Sequence, residues 1–308
     1  MGSLPILTTI TSEIALALQP ILIKQINTGL PTMLLGRLGV YSILGYFLSD
    51  STDKLTSWGS LASALHSSLY GIINLFHIAA SYISYEYLPA GSALALFYMY
   101  PFFNIIAGIL FLNEAFDPRL LPLFIVAFIG VLLIAFNTSS VENFTDDGGG
   151  IGGEKGGEKD EKNKKSNTTI QLGILASLAA ALTETIIFLV VKTAVRPTPW
   201  LSMLQLYPVA FLGILGWIFF KKEPISNKSS EWIPILIFNA FIGFIGYALR
   251  FFSMSTLPTS IYSLLTFIGV AAGYGWGLFF ANEKPSLLAL MGAGCITGSL
   301  GVMRYMGL

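Results

Sequence analysis

The chain has 308 residues, of which 54% are hydrophobic and 11% charged, and its mean hydropathy is +0.71. Those values exclude a soluble globular domain and mark an integral membrane protein. Lysine plus arginine equals aspartate plus glutamate at 17 each, so charge gives no argument for a nucleic-acid partner.

A membrane span needs about 20 mostly apolar residues. Ten windows qualify: 5–26, 31–49, 66–87, 89–112, 118–136, 170–193, 199–220, 232–255, 257–281 and 286–306. None shows the period-2 alternation of a membrane barrel, so the windows predict an all-α protein with ten transmembrane helices. The first, Leu4 to Ile26, lacks the basic flank and small-residue cleavage site of a signal peptide and is read as a retained span.

Span one carries Glu13 near its middle and Lys24 near its end, on one face and about 16 Å apart. Lys24 is expected to snorkel to the interface or to meet an anionic substrate, and Lys192 on span six carries the same expectation. Arg37 on span two is expected to be structural, held by backbone carbonyls. On span three, Asn74, His77 and Ser81 follow the i, i+3, i+7 spacing and form a polar stripe. Span four carries Tyr98, the helix-kinking Pro101, Asn104 and Gly108, then ends at Asn113-Glu114. Glu114 and Glu283, beside loops, read as solvated or capping groups.

Residues 138–168 include GGGIGGEKGGEKDEKNKK, too polar to bury a core, and predict a disordered linker that serves as a flexible tether or folds onto a partner. Beyond it, span six carries Glu184, span eight Tyr247 and Arg250, and span nine Tyr262, Tyr274, Trp276 and a stripe of Gly269, Gly273 and Gly277 that would admit a neighbouring helix closely.

The two halves repeat. A shift of 168 residues puts Lys24 on Lys192 and Pro31 on Pro199. A shift of 169 puts Leu88-Pro89 on Leu257-Pro258, Gly108 on Gly277 and Asn113-Glu114 on Asn282-Glu283. Each half holds five spans, and five is odd, so the second copy must insert upside down. That is the inverted repeat of secondary transporters, with a site near the midplane between the halves. The predicted units are 1–137, the linker, and 169–308.

Ionisable groups at the bilayer centre cost about 2.5–3.5 kcal/mol each, so each is a functional candidate. The repeat maps Glu184 onto Leu16, one turn from Glu13, which sets the two carboxylates across the pseudo-two-fold axis as candidates for proton coupling. The alternative for both is a structural hydrogen bond or a pair with Lys192 or Arg37. His77, Asn74, Tyr98, Tyr247, Arg250 and Tyr262 are the candidate substrate contacts. A mostly aromatic set with a few polar anchors suits an organic solute, and Arg250 could pair with a substrate carboxylate. No metal or cofactor is expected: Cys295 is the single cysteine, and His66 and His77 lie too far apart on one helix.

The order Lys24, Pro31, Arg37, Tyr87-Leu88-Pro89, Pro101, Asn113-Glu114 and a Gly130-containing helix resembles an EamA-type module of the drug/metabolite transporter superfamily. Lys192, Pro199, Leu257-Pro258, Asn282-Glu283 and the last span repeat it, so the resemblance covers nearly the whole chain outside the linker. It implies a ten-helix basket with spans one, three, four, six, eight and nine around a central cavity, spans five and ten more peripheral, and cytosolic termini. The small multidrug-resistance branch carries a glutamate in its first helix, as Glu13 does here. Departures are Gln205 opposite Arg37, Val270 opposite Pro101, and no paired Lys-Arg on span nine of the kind the sugar-phosphate branch uses.

Topology signals conflict. The loops away from the termini hold Lys155, Lys159, Lys162, Lys164, Lys165, Lys221, Lys222, Lys228 and Lys284, which favours a cytosolic face, yet the sequons at Asn137, Asn143, Asn167 and Asn227 fall on the same side. The reading is a multi-pass transporter, with the plasma membrane favoured over an organelle membrane. It would move a small organic solute (a metabolite, amino acid, nucleobase or amine) by alternating access, as a monomer or homodimer among membrane lipids. A membrane-embedded transferase, for which the short loops leave little room, and a non-transporting receptor or scaffold are the alternatives.

Overall fold

The computed structural model describes residues 3–26, 28–88, 90–146, 156–280 and 286–307. Among them every regular element is helical. Eight segments are long and apolar enough to cross a membrane. The remaining two predicted windows form α3 (Leu30–Leu48) and α5 (Leu61–Tyr87), 19 and 27 residues long but diluted by Arg37 in one and by His66, Asn74, His77 and several serines in the other.

Several spans are broken near their middles. Span one is α1 (Ser3–Leu16) followed by α2 (Gln19–Gln25), span four is α6 (Ala90–Phe97) followed by α7 (Tyr100–Leu112), and span seven is α10 (Pro199–Leu206) followed by α11 (Pro208–Lys221). Each second piece has a proline in its first two positions: Pro20, Pro101 and Pro208. Proline lacks the N–H that would continue the ladder and is pre-shaped for a first turn, so the break falls there. Span eight is interrupted differently. Between α12 (Ser229–Ile237), which contains Pro234, and α13 (Phe244–Thr256) the backbone widens into a π turn at Phe238–Gly243. Span nine breaks without proline, at Phe267, between α14 (Thr259–Thr266) and α15 (Ile268–Phe280). Phe267 is fully buried and stacks on Tyr98, so packing holds this break where Val270 replaces the proline.

A helix not anticipated from sequence, α4 (Ser51–Trp58), fills the connection before α5. The Asp50 carboxylate caps it by accepting from the Asp53 N–H at 2.7 Å. Arg196 ties it to the loop before α10, with Nη1 2.9 Å from Asp53 Oδ1 and 3.1 Å from Asp50 Oδ1. Helices also enter the segment expected to be an unstructured linker: α8 runs Leu121–Asp146 and α9 runs Gly156–Lys192. The acid-to-lysine spacings Glu158–Lys162 and Glu161–Lys165 are of the i,i+4 kind that favours a helix. Lys24's side chain, Pro89, Asn282 and Glu283 lie outside the described residues.

Packing sets the centre of the molecule. The α8 helix crosses α16 (Leu287–Tyr305) at Gly130 and Gly292, where a Cβ on either would meet the other's carbonyl oxygen at 2.5 or 2.6 Å. Further pairs are α5 on α9, α1 on α13, α3 on α10 and α11, and α7 on α14, the last with Gly108 against Thr259. The Gly269 stripe behaves otherwise than expected. A Cβ at Gly269 would run into the Tyr98 hydroxyl and come within 2.9 Å of Glu13 Oε2, whereas at Gly273 it would meet only Ala17, at 3.9 Å or more. These glycines make room for a cavity and its side chains more than for a second backbone.

Candidate functional site: a charged network beside a central cavity

A cavity of about 200 Å³ lies between α1, α2, α5, α6, α13 and α15. Its walls are mainly aromatic, with Tyr82, Tyr85, Phe97, Tyr98, Tyr247 and Tyr274, and its ionisable lining is Glu13, Arg37, His77 and Arg250. It reaches Gln25 at the exposed end of α2, so it opens at that end.

Arg250 is the hub. Its Nη2 lies 2.7 Å from Glu184 Oε1 and its Nε 3.6 Å from Glu13 Oε1, and it donates from Nε to the Tyr262 hydroxyl and from Nη2 to the Tyr100 hydroxyl, each at 3.1 Å. The approach to Glu184 is close enough for an ion pair but is not aligned as a hydrogen bond, and Glu184 Oε1 and Glu13 Oε1 both lack a hydrogen-bond partner. Glu13 and Glu184 are each 2% exposed. Neither points at lipid, and neither is paired with Lys192 or Arg37. A guanidinium from span eight stands between them.

His77 completes the network. Its Nδ1 lies 3.0 Å from the Ala180 carbonyl oxygen, and its Nε2 lies 3.2 Å from Glu184 Oε2. A carbonyl oxygen only accepts, so Nδ1 must carry a hydrogen. The Thr183 hydroxyl lies 3.2 Å from the same nitrogen, so His77 ties α5 to α9 and sets its second ring nitrogen against Glu184.

The expected residues separate into groups. Glu13, His77, Tyr98, Tyr247 and Arg250 line the cavity, while Glu184 and Tyr262 stand behind it, in contact with Arg250. Asn74 is elsewhere: its amide donates to the Leu206 carbonyl at 2.9 Å, serving the end of α10 that the helix break leaves short of partners. Tyr100 and Arg37 were missed as site members. Tyr100 lies just before Pro101, so the break in span four could have flagged it, whereas nothing in the sequence distinguishes Arg37 from a structural arginine.

At the end of the molecule opposite Gln25 an ion pair joins the two halves of the chain. Lys192 Nζ lies 3.2 Å from Glu114 Oε1 and also donates to the Leu257 carbonyl, and Glu114 Oε2 accepts from the Thr259 N–H at 2.7 Å. Lys192 is thus partnered within the protein, and Glu114 caps the start of α14 in the other half of the chain.

Residues 171–305 match the sequence model of the EamA-like transporter family. This half is an EamA-like transporter domain, of the drug/metabolite transporter superfamily. A solved crystal structure shares the fold with a TM-score of 0.71 at 12% identity, covering 99% of this chain and 98% of that one. No curated protein sequence matches the chain. Together with the eight apolar helices, the match marks an integral, multi-pass membrane protein and points to a membrane transporter of the drug/metabolite type.

Proposed function

We propose that the chain is a proton-coupled secondary transporter of a small organic solute, working by alternating access between two inverted five-helix halves. The observation that carries the reading is the Glu13–Arg250–Glu184–His77 network. It joins residues from both halves beside a cavity that is open at one end and closed at the other by Lys192–Glu114.

The element pairing supports the inverted repeat. Under it, α5 on α9 and α1 on α13 are equivalent contacts (spans three with six, one with eight). The α8–α16, α7–α14 and α3–α11 contacts join spans five with ten, four with nine and two with seven, as a half-turn in the membrane plane requires. Helix breaks near the middle of spans one, four, seven, eight and nine free backbone polar groups at the depth of the cavity, where an irregular backbone is tolerated because it lines protein or water.

The proposed coupling step is the gain and loss of a proton between His77 and Glu184, which lie 3.2 Å apart. When the proton leaves the His77–Glu184 pair, Nε2 faces a carboxylate with no hydrogen between them, and the contact turns from attractive to repulsive. Glu184 then depends more heavily on Arg250, which draws on the guanidinium that also serves Glu13. Proton occupancy in this way biases how α5, α9, α1 and α13 sit on one another. That is the differential interaction a two-state transporter needs.

Purified protein in liposomes should accumulate at least one solute from a metabolite library when a pH gradient is imposed. Glu184→Gln should keep counterflow, which needs only binding, and lose proton-driven accumulation. No flux of any solute under any gradient would end the transport reading, and equal loss of both activities would end the coupling role.

A further inference from the structure

Resting on that transport reading, we infer that the cargo is an organic monoanion, a carboxylate on an aromatic or apolar body, and that Arg37 holds its carboxylate. Arg37 lines the cavity and is 3% exposed. Its surroundings are phenolic: the guanidinium carbon lies 4.9 Å from the Tyr247 ring centre and 5.7 Å from that of Tyr41, with Tyr82 and Tyr207 nearby. Among the described residues no carboxylate lies within ion-pair distance, and Nε has no hydrogen-bond partner. Aromatic faces attract a guanidinium but do not cancel its charge. A buried charge without a counter-ion costs several kcal/mol, so the position asks for an anion.

The other charges nearby already have partners. Glu13 and Glu184 both approach Arg250, and neither reaches Arg37. Of the two guanidiniums that line the cavity, Arg37 is the one with no carboxylate beside it among the described residues. One unit of positive charge matches a carboxylate rather than a phosphate dianion. The planar fork of a guanidinium suits the two oxygens of a carboxylate, and the rings of Phe97, Tyr98, Tyr85 and Tyr274 suit an apolar body. Arg250, the earlier candidate for this contact, is unsuited to it because its positive charge is already claimed on two sides.

The test is ligand-induced thermal stabilisation of the full chain in detergent, read by intrinsic tryptophan fluorescence at constant ionic strength. The probes are benzoate, benzamide, benzylammonium and inorganic phosphate. Benzoate should raise the unfolding midpoint saturably, and the other three should not. Arg37→Gln should abolish the benzoate shift. Arg37→Lys, which keeps the charge should the glutamine variant fail to fold, should weaken benzoate tenfold or more, and Arg119→Gln at the surface should leave it intact. A benzoate shift that survives in Arg37→Gln at wild-type strength, undiminished binding in Arg37→Lys, a shift with benzylammonium or phosphate instead, or no shift with benzoate would each overturn the assignment. Flux of a neutral or cationic solute without benzoate binding would defeat this inference alone, whereas benzoate binding with no flux of any solute would defeat only the transport reading.

Discussion

Two buried arginines flank the ring of Tyr247, with their guanidinium carbons 4.9 Å (Arg37) and 5.8 Å (Arg250) from its centre, yet their situations are opposite. Arg250 holds two carboxylates and two tyrosine hydroxyls; Arg37 holds no carboxylate. The comparison teaches that burial alone does not say what a charged side chain does. A compensated guanidinium binds helices together, whereas an uncompensated one is available to something that comes and goes.

The largest expected effect separates the two residues. Arg250→Met strands Glu13 and Glu184 without a cation in a buried setting, and removing one partner of a buried charge pair costs about 3–5 kcal/mol. Arg37→Met strands no charge: it leaves the buried Tyr207 hydroxyl without its hydrogen bond to Arg37 but relieves an unpaired buried cation, so the loss should be well below that of Arg250→Met. Chemical unfolding in detergent, followed by tryptophan fluorescence, measures both. Equal losses would mean that Arg37 is structural after all.

Next comes Gly269→Ala, which pushes a methyl group against the Tyr98 hydroxyl and toward Glu13. Overpacking of this kind costs about 1–3 kcal/mol. Because it displaces Glu13 from Arg250, transport rate should fall more than thermal stability does. Gly273→Ala, with only Ala17 within 4 Å of the added carbon, is the matched control and should be near neutral. A rate unchanged in both would remove Glu13 from the mechanism.

At the closed end, Glu114→Ala removes both the ion pair with Lys192 and the acceptor for the Thr259 N–H. A lost cap is worth about 1 kcal/mol, and the pair adds little more because both side chains are partly solvated. Its signature should be kinetic. The closed end should open more readily, seen as faster labelling of cysteines introduced near Leu257.

The smallest effect lies outside the membrane, where Arg196 beside Asp50 holds that carboxyl below its ordinary range, mainly through their side-chain hydrogen bonds. A depressed carboxylate contributes stability that is present above its ordinary pKa, near 3.8, and is lost as pH falls through the lower folded value. Arg196→Gln should therefore leave stability nearly unchanged below that window and lower it slightly at neutral pH. The pH dependence of α4's hydrogen-exchange protection would register it.

Much of the helical architecture could be read from sequence because a bilayer leaves few choices, and apolar length alone marks the helical spans. Glu13, Glu184, His77 and Arg250 stood out for the same reason, since each is expensive at mid-span. What could not be read was who meets whom. The repeat placed the two glutamates face to face, but the cation between them comes from span eight, whose equivalent in the first half offers no arginine to signal it. Asn74 shares a helix face with His77 by spacing, yet the break at Pro208 draws its amide to Leu206. Pro20 and Pro208 break their spans as Pro101 does. Helix α4 escaped notice because its apolar content is low and its stability comes from Asp53 and Arg196, residues 143 apart in sequence.

Alternating access itself is tested most directly by fixing the closed end. In a protein with Cys295 replaced by alanine, Glu114→Cys and Lys192→Cys can be bridged by a short thiol-reactive cross-linker with a reducible core. The account predicts that the bridged protein in liposomes still binds solute from the open end but carries no flux, and that reduction restores transport. Full-rate transport through the bridged protein would contradict it.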